Sequence, residues 1–211
     1  MDNILFRIDS LTYKQLSYTD ITINKNKVNF IVGESGCGKS TLLKMLNASI
    51  SPASGEIFYD NKLLNEYDSI ELRQAVSLIS QDAFLFNDTI LENFNMFYSL
   101  RNLPIPSENY IKSILEVCCI DVPLEKISST LSGGERQRIY IAIFLSFCPK
   151  VLLLDEPTSA LDEKNSHTII KNIINFCKER KIDVVIVSHD KSIVETFCEN
   201  KIEIIKEKNN E

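Results

Sequence analysis

The chain is 211 residues long, 44% hydrophobic and 25% charged, the size and composition of one globular domain. Its net charge of −6 leaves no basic footprint for nucleic acid, so no nucleic-acid partner is expected. No apolar run reaches the roughly 20 residues that a membrane-spanning helix needs; the best candidate, Ile139 to Cys148, is about half that, is interrupted by Ser146 and reads as a buried helix.

MDNILFRIDS opens with an acid and has no basic region before an apolar one, so it does not read as a signal peptide. A cytoplasmic protein is expected. Phe6 to Tyr13 and Asp20 to Asn24 partly alternate apolar and polar residues and are predicted as strands. The polar turn NKNK leads into Val28 to Val32, a continuous apolar run suited to a buried strand. After a glycine-rich loop, a helix is predicted from Lys39, carrying Leu42, Leu43, Met45 and Leu46. SPASGE reads as a turn, with strands following at EIFYD and at Ala75 to Ser80.

Strand character is low from Asp82 to Thr130. LPIP at Leu103 to Pro106 is a linker-like break. Ser107 then opens a predicted helix with apolar residues at 111, 114, 115 and 118. This middle stretch is read as a mostly helical insertion. The last third alternates again: VLLLDE, a helix from Asp162 to Arg180, VVIVSH, a short helix and KIEIIK. Such alternation implies a largely parallel, doubly wound sheet. The tail EKNNE is expected to fray, and no internal repeat is visible.

The six cysteines, at 37, 118, 119, 148, 177 and 198, form no CxxC pair, so neither a zinc site nor a disulfide framework is expected. All but Cys37 are read as small core or half-buried residues. His167, on a helix with no partner motif, is expected to face solvent.

GESGCGKST fits G-x-x-x-x-G-K-[ST], with Gly33, Gly38, Lys39 and Ser40 at the fixed places. Glycines let the backbone bend its N–H groups onto phosphate oxygens, and the new helix presents its positive end. Lys39 can reach the β- and γ-phosphates, and the Ser40 hydroxyl can ligate Mg²⁺. Glu34, Ser35, Gly36, Cys37 and Thr41 complete the candidate nucleotide loop. Cys37 holds a free position of the pattern. It is either a tolerated small residue or a thiol whose oxidation blocks phosphate binding, since a helix N-terminus lowers a thiol pKa.

VLLLDE ends a buried strand in two adjacent acids. Asp155 is placed to hold Mg²⁺, and Glu156 to polarise a water for attack on the γ-phosphate. Pro157 makes continuation of the strand unfavourable. In TLSGGERQRIYIA, Ser132 is a good helix cap, and Gly133 and Gly134 allow close backbone approach to a ligand. This is a second phosphate-reading helix terminus in one small domain. The economical explanation is that it serves a nucleotide held by another copy.

Together these motifs resemble the ATP-binding subunits of ABC transporters over nearly the whole chain. GESGCGKS resembles Walker A, and Gln81 in LISQD the Q-loop glutamine. LSGGERQ resembles the signature, VLLLDE Walker B, SALD the D-loop and His189 in VIVSHD the switch histidine. The order is the family's. The resemblance implies a P-loop NTPase (RecA-like) α/β core with a mixed, largely parallel sheet, an N-terminal antiparallel β-subdomain and an inserted helical subdomain. It divides one ABC ATPase domain into segments 1–81, 82–139 and 140–211. ATP and Mg²⁺ are implied, with Ser40, Gln81 and Asp155 arranging the metal, Glu156 activating water and His189 contacting the γ-phosphate or that water. Leu131, Ser132, Gly133, Gly134, Glu135 and Gln137 form the signature expected to act in trans, Ser132 and Gly134 on the γ-phosphate. Asp162 would couple the two sites. Tyr13, in SLTY, is read as the aromatic stacking on the base, or as a strand-face tyrosine.

The implied partners are a second ATPase subunit, identical or a paralogue, and a separate integral membrane permease, with this chain peripheral on the inner face of the cell membrane. One copy of each motif argues against the ABC-F translation factors, and the interval from Gln81 to Leu131 has no sustained heptads of the kind chromosome and repair relatives insert. Phe84 to Phe94, FLFNDTILENF, resembles the LF-x-x-TI-x-x-N stretch of exporter-type members, and the middle and C-terminal parts, including IYIAIFLSFCPKVLLLDEPTSALDEKNSH, resemble small Fet-type ATPases linked to export of a metal such as iron. The other readings are a mechanical ATPase driving a membrane complex without transport, and a soluble P-loop enzyme. Against the last, there is no guanine-reading N-K-x-D.

Overall fold

The computed structural model describes residues 3–159 and 163–205. Two sheets share its core. The first is antiparallel and centres on β1 (Ile4–Tyr13), which pairs with β2 (Leu16–Tyr18), β3 (Ile21–Asn24) and β5 (Ser54–Tyr59); β6 (Lys62–Leu63) pairs on the far side of β5. The three-residue β2 escapes the sequence reading because it is too short to show a period.

The second sheet contains β4 (Val28–Val32), β7 (Val76–Ile79), β8 (Val151–Asp155), β9 (Asp183–Val187) and β10 (Asn200–Glu203) in the order β10-β4-β9-β8-β7. Every pairing in it is parallel. Its central strands read as unbroken apolar runs because both faces are covered. Alternate residues divide between the two faces. Leu152, Leu154, Val184 and Ile186 pack into the core on the helical side. Val151, Leu153, Val185 and Val187 pack with β1 and with α1 (Lys39–Leu46) into the other. Each fully buried Leu or Ile of this kind contributes about 1.5–3 kcal/mol.

The helices are α2 (Ser69–Ala75), α3 (Ile90–Leu100), α4 (Glu108–Val117), α5 (Gly133–Ser146), α6 (Glu163–Glu179) and α7 (Lys191–Phe197). The predicted cap of α4 is present: the Ser107 hydroxyl accepts from the Tyr110 N–H. Asn93 in α3 is fully buried and staples the chain before its own helix. It accepts from the Phe86 N–H at 2.8 Å and donates to the carbonyls of Phe86 at 3.1 Å and Thr89 at 2.9 Å.

Three expectations change. A boundary between 139 and 140 would cut α5, which runs unbroken from Gly133 to Ser146. Cys148 is exposed rather than half-buried, because it follows the end of α5 in a left-handed turn at φ 48°. His167 does not face solvent freely; it is half-buried, its ring lies 5.7 Å from that of Phe197, and its Nε2 is 2.9 Å from the Ser192 hydroxyl.

Candidate functional site

Four of the chemical motifs converge because each follows the carboxyl end of a parallel strand. Gly33 follows β4, Gln81 follows β7, Glu156 follows β8 and His189 follows β9. In open α/β sheets this edge is where ligands bind. A cavity of about 950 Å³ lies there, lined by Gly36, Gly38, Lys39, Ser40, Thr41, Gln81, Glu156 and His189 among others.

The phosphate loop is pinned from below. Gly33 packs so closely that a Cβ there would fall 2.4 Å from the Ile204 carbonyl oxygen and 2.8 Å from Cys37 Sγ. Cys37 is only 3% exposed and belongs to the core shared with the antiparallel sheet. That placement fits a small filler and gives an oxidant little access to the thiol. Lys39 is buried, and its ammonium donates to the carbonyls of Gly33 at 3.0 Å and Glu34 at 2.9 Å.

Ser40, on the cavity wall, donates its hydroxyl to Asp155 Oδ1 at 2.9 Å. Gln81 lines the same cavity, and its side-chain oxygen would complete an all-oxygen donor set suited to a hard cation such as Mg²⁺. Among the described residues no cluster of three His, Cys, Asp or Glu could hold a metal unaided. The set therefore fits an ion that takes its remaining ligands from phosphate and water.

Glu156 has a left-handed backbone at φ 50°. Its N–H donates to the Val187 carbonyl at 3.1 Å, and its own carbonyl accepts from the Ser159 N–H at 3.2 Å and the Gln137 side-chain amide at 3.1 Å. These bonds hold the residue in its uncommon conformation. The carboxylate meets His189 twice. Oε2 accepts from the His189 N–H at 3.4 Å, and Oε1 lies 3.1 Å from Nε2. The second contact is at ion-pair distance, and Oε1 has no hydrogen-bond partner among the described residues. Burial raises the Glu156 pKa above its ordinary value, opposed by His189 and Lys39.

The signature opens α5 with a reciprocal cap. Ser132 Oγ accepts from the Glu135 N–H at 3.2 Å, and Glu135 Oε2 accepts from the Ser132 N–H at 2.8 Å. The Ser132 N–H and hydroxyl both donate to the Glu135 carboxylate at 2.8 Å and hold its pKa below its ordinary value, and Lys126, 3.3 Å away, adds to the effect. Leu131 is buried, and Gln137 is 4% exposed and bonded to Glu156 within its own chain. Within the chain, Leu131 and Gln137 turn inward and Glu135 turns back to cap its own helix. Ser132 and Gly133 are exposed and Gly134 half-exposed. None of these three lines the cavity at the phosphate loop.

Tyr13 ends β1, half-buried, paired with Leu16 of β2. Leu16 lines the cavity and Tyr13 does not. Asp162 lies outside the described residues. The sequence reading misses Leu16, Tyr18 and the group around Asp190. There the Ser192 hydroxyl donates to Asp190 Oδ1 at 2.7 Å and meets His167. Asp190 is a local N-cap of α7, accepting from the Ser192 and Ile193 N–H, whereas Tyr18 and His167 act across 20 and 25 residues, where no local pattern marks them.

This arrangement is that of a P-loop ATPase of the ABC class. The family model for ABC transporters matches residues 16–159, and the chain belongs to that family. Its relatives include the "Probable iron export ATP-binding protein FetA" of Escherichia coli, 38% identical over 84% of this chain and 79% of the relative. The energy-coupling factor transporter ATP-binding protein EcfA3 of Clostridium perfringens is 30% identical over 95% of this chain and 74% of its own. Among solved structures, CbiO1 of Clostridium perfringens, part of the ABC transporter complex CbiONQ, superposes with a TM-score of 0.82 at 29% identity, covering 96% of this chain and 85% of the other. The bacterial ABC transporter cassette MJ0796, solved as a dimer, gives 0.84 at 27% identity over 96% and 95%. The chain is an ATP-binding subunit of an ABC transporter and a transport ATPase. Among the described residues no helix is long and apolar enough to cross a membrane.

Proposed function

We propose that this subunit binds Mg-ATP between two copies, or between itself and a paralogue, and uses hydrolysis to move a separate membrane permease in the direction of export. The observation that carries the reading is the separation of two half-sites. The phosphate loop, Glu156 and His189 line one cavity, with Asp155 bonded to Ser40 of its lining, while the open terminus at Ser132, Gly133 and Gly134 lies outside it. A head-to-tail pair brings the signature of one copy to the nucleotide of the other, and the dimeric MJ0796 cassette supports this. ATP then favours the closed pair by contacts made only there.

Lys39 and the loop amides bind the phosphates. Ser40, Asp155 and Gln81 hold Mg²⁺, which supplies charge neutralisation on the phosphate oxygens. Glu156 takes the proton of the attacking water, and His189 orients that carboxylate. Tyr13 stacks on the base; its pairing with Leu16 puts it beside the cavity wall. Asp162 links the two sites.

The permease docks beside the segment after Gln81, on the cytoplasmic face of the membrane. Phe84, Met96, Leu100, Leu103 and Ile105 are each exposed in the residues after Gln81, apolar surface of the kind an interaction site uses. Export rests on the similarity to FetA and on the LF-x-x-TI-x-x-N stretch. The test is co-purification from detergent-solubilised native membranes, followed by reconstitution of the recovered complex into vesicles. A multi-span protein and ATP-dependent movement of solute away from the ATPase side are expected. A complex that hydrolyses ATP without moving solute contradicts the transport reading.

A further inference from the structure

We propose that Tyr18 is a positioning residue of the phosphate loop, its hydroxyl holding the Gly38 carbonyl so that the Lys39 amide is aimed into the nucleotide cavity. The inference rests on the reading of that loop as the phosphate site. Tyr18 ends β2 in the antiparallel sheet, is 3% exposed, and donates its hydroxyl to the Gly38 carbonyl at 2.9 Å. The same oxygen already accepts the first helical bond of α1, from the Leu42 N–H at 2.9 Å. The carbonyl is thus fixed by two donors, one in its own helix and one in the other sheet.

In a planar trans peptide the C=O and the following N–H point in opposite directions. Drawing the Gly38 carbonyl toward Tyr18 therefore turns the Lys39 N–H away from it, toward the cavity that Gly38, Lys39 and Ser40 line. Gly38 is free to be so held. Its φ is +100°, and a Cβ there would lie 2.5 Å from the Tyr18 hydroxyl and 2.9 Å from Leu16 Cδ1. Glycine at this place admits the clamp as well as the turn. Packing alone does not require the hydroxyl, because phenylalanine fills the same volume. Burial raises the Tyr18 pKa to about 12, with the Cys37 thiol adding to it, so the phenol stays a donor at every working pH.

The experiment compares wild type with Tyr18→Phe, and with Tyr18→Leu as a second variant lacking the hydroxyl. Calorimetry gives Kd for Mg-ATP, Mg-ADP and adenosine, alongside the melting temperature of the nucleotide-free protein. Affinity for both phosphorylated nucleotides is expected to fall about three- to tenfold, the loss of roughly one aligned hydrogen bond, with adenosine binding unchanged. KM rises accordingly while kcat moves less. Either variant that folds reads the same contrast. Unchanged Kd for Mg-ATP with a lower melting temperature assigns the hydroxyl to stability alone and overturns the proposal, as does an equal loss for adenosine. Wild-type protein that binds no ATP contradicts the phosphate-site reading instead, so the two failures are told apart.

Discussion

The side-chain amide of Gln137 donates to the carbonyl of Glu156 at 3.1 Å, joining the helix that carries the signature to the acid at the end of β8. Gln137 Oε1, by contrast, is buried without a hydrogen-bond partner among the described residues. The side chain thus makes one bond and leaves one acceptor unmet, a poor exchange for stability. Gln137→Met keeps the length and removes both groups. Stability by urea unfolding is expected to stay within about 1 kcal/mol of wild type. The kcat for ATP hydrolysis should fall about tenfold, because the base is no longer held in its geometry. A variant with wild-type kcat removes Gln137 from the account.

Glu156 gives a pH prediction with a definite sign. Its raised pKa keeps the carboxyl protonated, and inactive as a base, to higher pH than an ordinary glutamate. The acid limb of kcat should therefore have its midpoint above the usual carboxylate value of about 4.3. A raised folded pKa also means that the charged form is disfavoured in the fold. The associated stability is present at low pH and lost as pH rises through the folded value. Glu156→Gln, neutral throughout, should therefore melt higher than wild type at pH 8 by differential scanning fluorimetry, with the gap closing toward pH 5. A gap that widens on acidification contradicts the sign.

Asn93 holds the segment between Phe86 and Thr89 by three short hydrogen bonds. Asn93→Ala leaves the half-buried Phe86 N–H and the carbonyls of Phe86, Asp88 and Thr89 without that partner. A loss of about 2–4 kcal/mol in chemical unfolding is expected. Hydrogen exchange should rise first at the amides of Phe86 and its neighbours. Unchanged exchange there would show that the segment is held by other contacts.

The sequence shows most of what local periodicity can carry. Val28–Val32, Val151–Asp155 and Asp183–Val187 read as buried strands because both of their faces are covered. Ser107 and Ser132 read as caps because capping is decided within three residues. What stayed hidden depends on distant partners. His167 meets Ser192 across two elements, Cys148 takes its exposure from a turn, and Tyr18 reaches Gly38 from another sheet. The signature shows both sides. Ser132 and Glu135 match a capping pattern, yet the same letters also suggest ligand contacts, and the hydrogen bonds assign Glu135 to the cap.

The central claim is that ATP clamps two subunits and hydrolysis releases them. Glu156→Gln should bind Mg-ATP without cleaving it. Light scattering after size exclusion tests this directly: the variant should be monomeric without nucleotide and dimeric with Mg-ATP. A monomer at saturating Mg-ATP, with binding confirmed by calorimetry, contradicts the account.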